Sequence, residues 1–129
     1  MARPCPFCSL SGERIVAEDE LTITVRDICP VSPGHTLVIA RRHVSSLFDL
    51  TADEAAALFR AVSRARLELD GEHRPDGYNV GVNVGAAAGQ SIWHVHVHVI
   101  PRYSGDTRSP RGGVRHSIPG RGHHEIDGD

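Results

Sequence analysis

Two stretches, Leu21 to Arg26 and Thr36 to Ala40, are dominated by β-branched and apolar side chains, and Pro30, Pro33 and Gly34 between them supply turn chemistry. That pattern predicts two strands of an antiparallel sheet. Thr51-Ala52-Asp53-Glu54 has the spacing of a capping box, in which threonine and glutamate each satisfy a free amide at a helix start. Ala55, Leu58, Val62, Ala65 and Leu69 then recur at three- and four-residue steps, leaving Arg60, Arg64 and Glu68 on the wet side, until Gly71 and Pro75 break the period. A helix is predicted over 52–70. Tyr78 to Asn83 reads as a third strand and Trp93 to Ile100 as a fourth, closed by Pro101. Within the fourth, Val95, Val97 and Val99 alternate with His94, His96 and His98, so the two sets point to opposite faces of the sheet. A run of small residues, Gly85 to Ser91, links the last two strands. From Ser104 onward neither period survives, which predicts a loop or extended tail over 104–129 following a domain of residues 1–103.

Composition narrows the class. At 129 residues, 40% hydrophobic and 23% charged, the chain matches one ordinary globular domain. No apolar run approaches the roughly 20 residues of a spanning helix, and Met1 to Pro4 are followed by no signal-peptide core. A cytoplasmic protein without membrane contact is expected. A formal net charge of −2 supplies no broad positive field for long nucleic acids, so any nucleotide partner should be small. Three cysteines, Cys5, Cys8 and Cys29, cannot all pair within one chain, and reduced thiols are the expectation.

Neighbours on one face of a strand are about 6.6 Å apart at Cα, which lets three imidazoles converge on one small ligand. The alternating histidines therefore predict either a reactive site or a metal site, since histidines at i and i+2 on a strand can share a zinc ion. Gly89-Gln90-Ser91 lies directly before them and offers flexible backbone, amide and hydroxyl donors suited to phosphate oxygens. A phosphate beside a nucleophilic histidine is the arrangement this favours. Cys5-Pro6-Phe7-Cys8 is half of a tetrahedral zinc site, or a redox pair, or two plain thiols.

The stretch Gln90-Ser91-Ile92-Trp93-His94-Val95-His96-Val97-His98-Val99-Ile100-Pro101 resembles the signature of the histidine-triad (HIT) superfamily of nucleotide hydrolases and transferases. The likeness extends through Asn83, through Pro33-Gly34-His35-Thr36-Leu37-Val38-Ile39 and through Arg41-Arg42-His43-Val44, covering most of residues 5 to 103. Ala40-Arg41-Arg42-His43 departs from the proline and lysine often found there. The resemblance implies an α+β, HIT-like fold: an antiparallel five-stranded meander sheet with a packed central helix, paired as a homodimer through helices and edge strands. It implies that His96 attacks the α-phosphorus to form a nucleotidyl-histidine, that His98 assists the leaving group, and that His94 orients the site. Imidazole, with a reference pKa near 6.5, suits this attack without a metal. By the same resemblance Asp27 binds the ribose hydroxyls, and Asn83, Gln90 and Ser91 hold the phosphate, with turn or loop-capping roles as the alternatives. The implied product is a nucleoside 5′-monophosphate, AMP by preference, released from a phosphoramidate, a mixed anhydride or a dinucleoside polyphosphate.

Microbial relatives of this kind complete the cysteine pair with the histidines equivalent to His43 and His94, which implies a structural Cys2His2 zinc and no cofactor in the chemistry itself. Arg111-Gly112-Gly113-Val114-Arg115 is similar to a tail in some bacterial members and could lie near the leaving group of another chain. Two further readings stay open from the sequence: a nucleotide-binding regulatory module with little turnover, and a metal-dependent hydrolase using the triad as ligands.

Overall fold

The structure is a computed structural model, and it describes residues 4–123. His124, the last tail histidine, lies outside the described residues. Five strands, β1 (Ile15–Glu18), β2 (Thr22–Arg26), β3 (Thr36–Ala40), β4 (Gly77–Gly81) and β5 (His96–Arg102), form one antiparallel sheet in the order β1-β2-β3-β5-β4. The first three strands are a meander. The single α-helix, α1 (Ala52–His73), then carries the chain to the far edge, and β5 returns to fill the gap between β3 and β4.

β1 is the strand that periodicity did not show. It has four residues and pairs with β2 through a register shift between Ile15 and Ala17, so its alternation is too short and too irregular to stand out. The helix begins where the capping box requires: Thr51 Oγ1 accepts from the Glu54 amide at 3.1 Å, and Glu54 Oε1 accepts from the Thr51 amide at 2.8 Å. It runs three residues beyond the expected end, because Gly71 is tolerated in the last turn. The stop comes from Arg74, held in the left-handed region at φ 49°, with Pro75 behind it.

β5 also differs from its expected bounds. His94 and Val95 precede the strand, and the strand continues through Pro101 to Arg102. Proline is accommodated because β3 begins at Thr36, opposite Val99, so past Val99 no strand flanks that side of β5. The Pro101 carbonyl on that side accepts instead from the Ser32 hydroxyl at 2.7 Å.

Val38, Ala40, Val95, Val97 and Val99 face α1 and pack with its buried Leu58, Ala61 and Leu69. Ala57, Ala61 and Ala65 let the helix approach closely, and Phe59 and Leu67 are left outside. Gly34 closes the helix C-terminus against the β2–β3 loop; a Cβ there would come within 2.9 Å of Leu69 and His73. The opposite sheet face carries a second cluster, Phe7, Val25, Leu37 and Ile39, covered by the amino-terminal segment. The tail is not featureless: a 3-10 turn at Gly113–Ser117 packs against β4 beside Asn79. No helix among the described residues is long and apolar enough to cross a membrane.

Candidate active site and metal centre

Cross-strand register builds the site on the face away from α1. His98 pairs with Leu37 and His96 with Ile39, so both imidazoles stand on the floor formed by the second apolar cluster. They line a cleft of about 270 Å³. Phe7, Leu37, Ile28 and Ile92 supply its apolar walls, while Asp27, Asn83, Gly89 and Ser91 supply polar edges. Phe7 meets the His96 ring edge-on, with centroids 5.0 Å apart.

Hydrogen bonds to main-chain groups assign the ring protons. His96 Nδ1 lies 2.8 Å from the His94 carbonyl and must donate to it, which leaves Nε2 with a free lone pair for the cleft. The Val31 amide donates to His35 Nδ1 at 3.2 Å, so His35 carries its proton on Nε2 and donates it to His98 Nδ1 at 3.0 Å. His98 is thereby a neutral imidazole whose Nε2–H is the remaining donor. Burial pushes the pKa of His98 down, reinforced by His96 and His35, with Asp27 opposing; burial likewise lowers His35. Asp27 Oδ2 lies 3.5 Å from His35 Nε2, and its Oδ1 accepts from the Cys29 amide at 2.8 Å.

Two expectations are corrected by these contacts. The three histidines do not converge on one ligand: His94 is fully buried behind the cleft, with Nε2 donating to the Ala40 carbonyl at 2.6 Å and Nδ1 turned toward the cysteines. No nitrogen of His94 remains for a metal shared with His96 and His98. Gln90 is also turned away, because its Oε1 accepts from the Gly85 amide and its Nε2 donates to the Ser45 and Ile92 carbonyls. Its amide shapes the loop and is absent from the cleft lining, whereas Ser91 and Asn83 are exposed there, Asn83 just past the end of β4. His35, through its hydrogen bond to His98, and Arg14, on the cleft wall, belong to the site; the sequence offered His35 only within the Pro33–Ile39 stretch that resembles the family, and gave no signal for Arg14.

Cys5, Cys8, His43 and His94 come together behind His96, with one ligand atom from each within 4.8 Å of the others. His94 Nδ1 lies 3.4 Å from Cys5 Sγ, 3.6 Å from Cys8 Sγ and 3.2 Å from His43 Nδ1, and Cys8 Sγ lies 3.2 Å from His43 Nδ1. A tetrahedral zinc with ordinary bond lengths separates its ligand atoms by about 3.3–3.8 Å. The donor types and spacing fit zinc, and the Ala40 carbonyl holds His94 in the tautomer that presents a lone pair.

The family model described as the HIT domain matches residues 11–105. The chain belongs to the HIT family. Among HIT relatives it is 43% identical over 93 residues to a protein named AP-4-A phosphorylase from Mycobacterium tuberculosis, covering 71% of this chain and 48% of that one. It is 36% identical over 95 residues to the bis(5′-nucleosyl)-tetraphosphatase (asymmetrical) of Schizosaccharomyces pombe, covering 74% and 52%. The chain thus spans about half the length of these two relatives. A zinc-bound histidine-triad family protein from Mycobacterium smegmatis superimposes with a TM-score of 0.67 at 37% identity, covering 74% of this HIT chain and 69% of its own.

Proposed function

We propose that this chain transfers a nucleoside 5′-phosphoryl group from an anhydride to water through His96, with a dinucleoside polyphosphate as the preferred substrate class. The observation that carries the reading is the His96 ring: Nδ1–H is held on the His94 carbonyl, which leaves Nε2 its lone pair, and the ring lines the same cleft as Ser91 and Asn83. Nε2 attacks the α-phosphorus, the P–N bond forms, and the P–O bond to the leaving phosphate breaks as the Nε2–H of His98 donates a hydrogen bond to the departing anionic oxygen. Water then attacks the same phosphorus and loses its proton to solvent, and the P–N bond breaks with its electron pair returning to His96 Nε2 to release the monophosphate. Asp27 receives the ribose hydroxyls, and the apolar walls receive a purine, such as the adenine of AMP. The names of the two curated relatives, an AP-4-A phosphorylase and a tetraphosphatase, favour polyphosphates over phosphoramidates.

Zinc on Cys5, Cys8, His43 and His94 is proposed as structural. Three unpaired thiols suit a reducing compartment, in keeping with a cytoplasmic setting. A homodimer is proposed through the face where Phe59, Leu67 and Val80 are exposed and a groove of about 290 Å³ runs between α1 and the edge strand β4.

The test incubates wild type and His96→Ala with a diadenosine polyphosphate and with an adenosine phosphoramidate, following monophosphate release and trapping labelled protein without acid. Release and labelling by wild type, both absent from the variant, support the covalent route, and the ratio of kcat/KM values chooses the leaving group. A wild type that binds AMP but turns over neither substrate would instead favour a binding module.

A further inference from the structure

One cross-sheet row begins in the cleft at His98 and Leu37 and continues beneath the amino-terminal segment. His98 pairs with Leu37, Leu37 with Val25, and Val25 with Ile15, so one line of side chains crosses β5, β3, β2 and β1. At ordinary strand spacing that row is about 14 Å long. A nucleotide laid in the cleft with its phosphate at the histidines and its ribose at Asp27 places its base against Leu37, Ile28 and Pro6, on the β1 side of the histidines. Arg14 stands at that end, directly before β1, and lines the same cleft.

Arg14 is half-buried, and its Nη2 donates to the Arg26 carbonyl at 3.2 Å, which fixes the guanidinium one residue from Asp27. Among the described residues no carboxylate forms an ion pair with it. A cation set among Ile28, Leu37 and Pro6, with donors to spare, is poorly placed for packing and well placed to recognise an acceptor on the ligand. Guanidinium is a donor only. On the Hoogsteen edge adenine offers the N7 acceptor beside the N6 donor, whereas a 6-oxopurine offers two acceptors, N7 and O6, at the spacing of an arginine fork.

We infer that Arg14 is a specificity residue that reads the N7/O6 edge of the base, so that the cleft selects guanine and hypoxanthine nucleotides over adenine nucleotides. The inference rests on the nucleotide reading of the cleft and departs from the expectation of AMP.

The experiment titrates wild type with GMP, IMP and AMP by calorimetry, repeats it with Arg14→Met and Arg14→Lys, and checks each variant's fold by its melting temperature. GMP and IMP are expected to bind wild type about tenfold or more tightly than AMP. The ratio should collapse toward one in Arg14→Met and fall to an intermediate value in Arg14→Lys, which cannot fork. Equal affinity for GMP and AMP in wild type, or a ratio that survives Arg14→Met, overturns the inference while leaving the hydrolase reading intact. IMP behaving like AMP also overturns it, because the discrimination would then come from the guanine 2-amino group. Failure of all three to bind removes the nucleotide reading and this inference together.

Discussion

Three histidines in one alternating run end up with three different jobs because each ring proton is fixed by a different partner. His94 gives its proton to Ala40 and turns a lone pair to the cysteines; His96 gives its proton to His94 and turns a lone pair to the cleft; His98 accepts from His35 and keeps a donor. His35 is therefore the residue that makes His98 a hydrogen-bond donor at Nε2. Protonated His98 would carry a second N–H at Nδ1, facing the N–H of His35, and burial with His96 and His35 nearby already lowers its pKa below the ordinary 6.5, against the weaker pull of Asp27. As pH falls, His98 stays neutral further into acid than a free imidazole, so its ring titration, followed by NMR, should lie below 6.5. Replacing His35 with alanine removes the opposing N–H and admits water, so that titration should move to higher pH, with kcat reduced about tenfold or more as the Nε2–H tautomer loses its support. His35→Gln, which retains a donor, should recover part of both effects. A His98 titration unmoved in His35→Ala would show that His35 does not set the state of His98. The positions legible in sequence, His96, His98, Asp27, Asn83 and Ser91, are those whose side chains face the cleft from their own segment. Gln90 and His94 read differently because their partners, the carbonyls of Ser45 and Ala40, are more than forty residues away.

Among the elements, α1 was the most legible, since its start is encoded within four residues and its buried stripe repeats over about four turns, from Glu54 to Leu69. The start also does tertiary work. Glu54 completes the capping box and receives both Nε and Nη2 of Arg42 at 2.9 Å, tying the helix to the segment after β3 that carries His43. The Arg42 hydrogen bond, with the Thr51 amide, holds the Glu54 pKa down from 4.5 to about 2. A carboxylate lowered in the folded state contributes stability that is present above its unfolded value and lost as pH falls through the folded one. Glu54→Gln should therefore flatten the loss of stability of the wild type between about pH 4.5 and 2, measured by urea denaturation across that range. Thr51→Ala, which removes only the cap, should cost about 1 kcal/mol at neutral pH by the same measurement. Where elements escaped the sequence, the reason is again local brevity or distant pairing: β1 is four residues interrupted by a bulge, and β5 starts late because His94 is drawn out of the strand toward Cys5 and Cys8.

At the scale of the molecule, the cysteine and histidine cluster clips together three segments that the apolar clusters also join: the amino terminus through Cys5 and Cys8, the end of β3 through His43, and the approach to β5 through His94. The peptide between the two cysteines contributes Pro6 and Phe7 to the cleft, and Phe7 packs on the ring of His96. Losing the clip should therefore damage binding before chemistry. Cys8→Ser is expected to lower the zinc content from about one ion per chain toward zero and to lower the melting temperature by several degrees. Because the His94 carbonyl is held by the backbone at Val95, whose amide donates to Val44 and whose carbonyl accepts from Ala40, the His96 tautomer survives. KM should thus rise by a larger factor than kcat falls. Trp93, the chain's single tryptophan, directly precedes His94 and should report loosening of the clip as a change in fluorescence, independent of turnover. A Cys8→Ser protein with full zinc content, or one whose kcat collapses while KM and fluorescence stay unchanged, would separate the cysteines from the clip and place the metal's influence on the nucleophile instead.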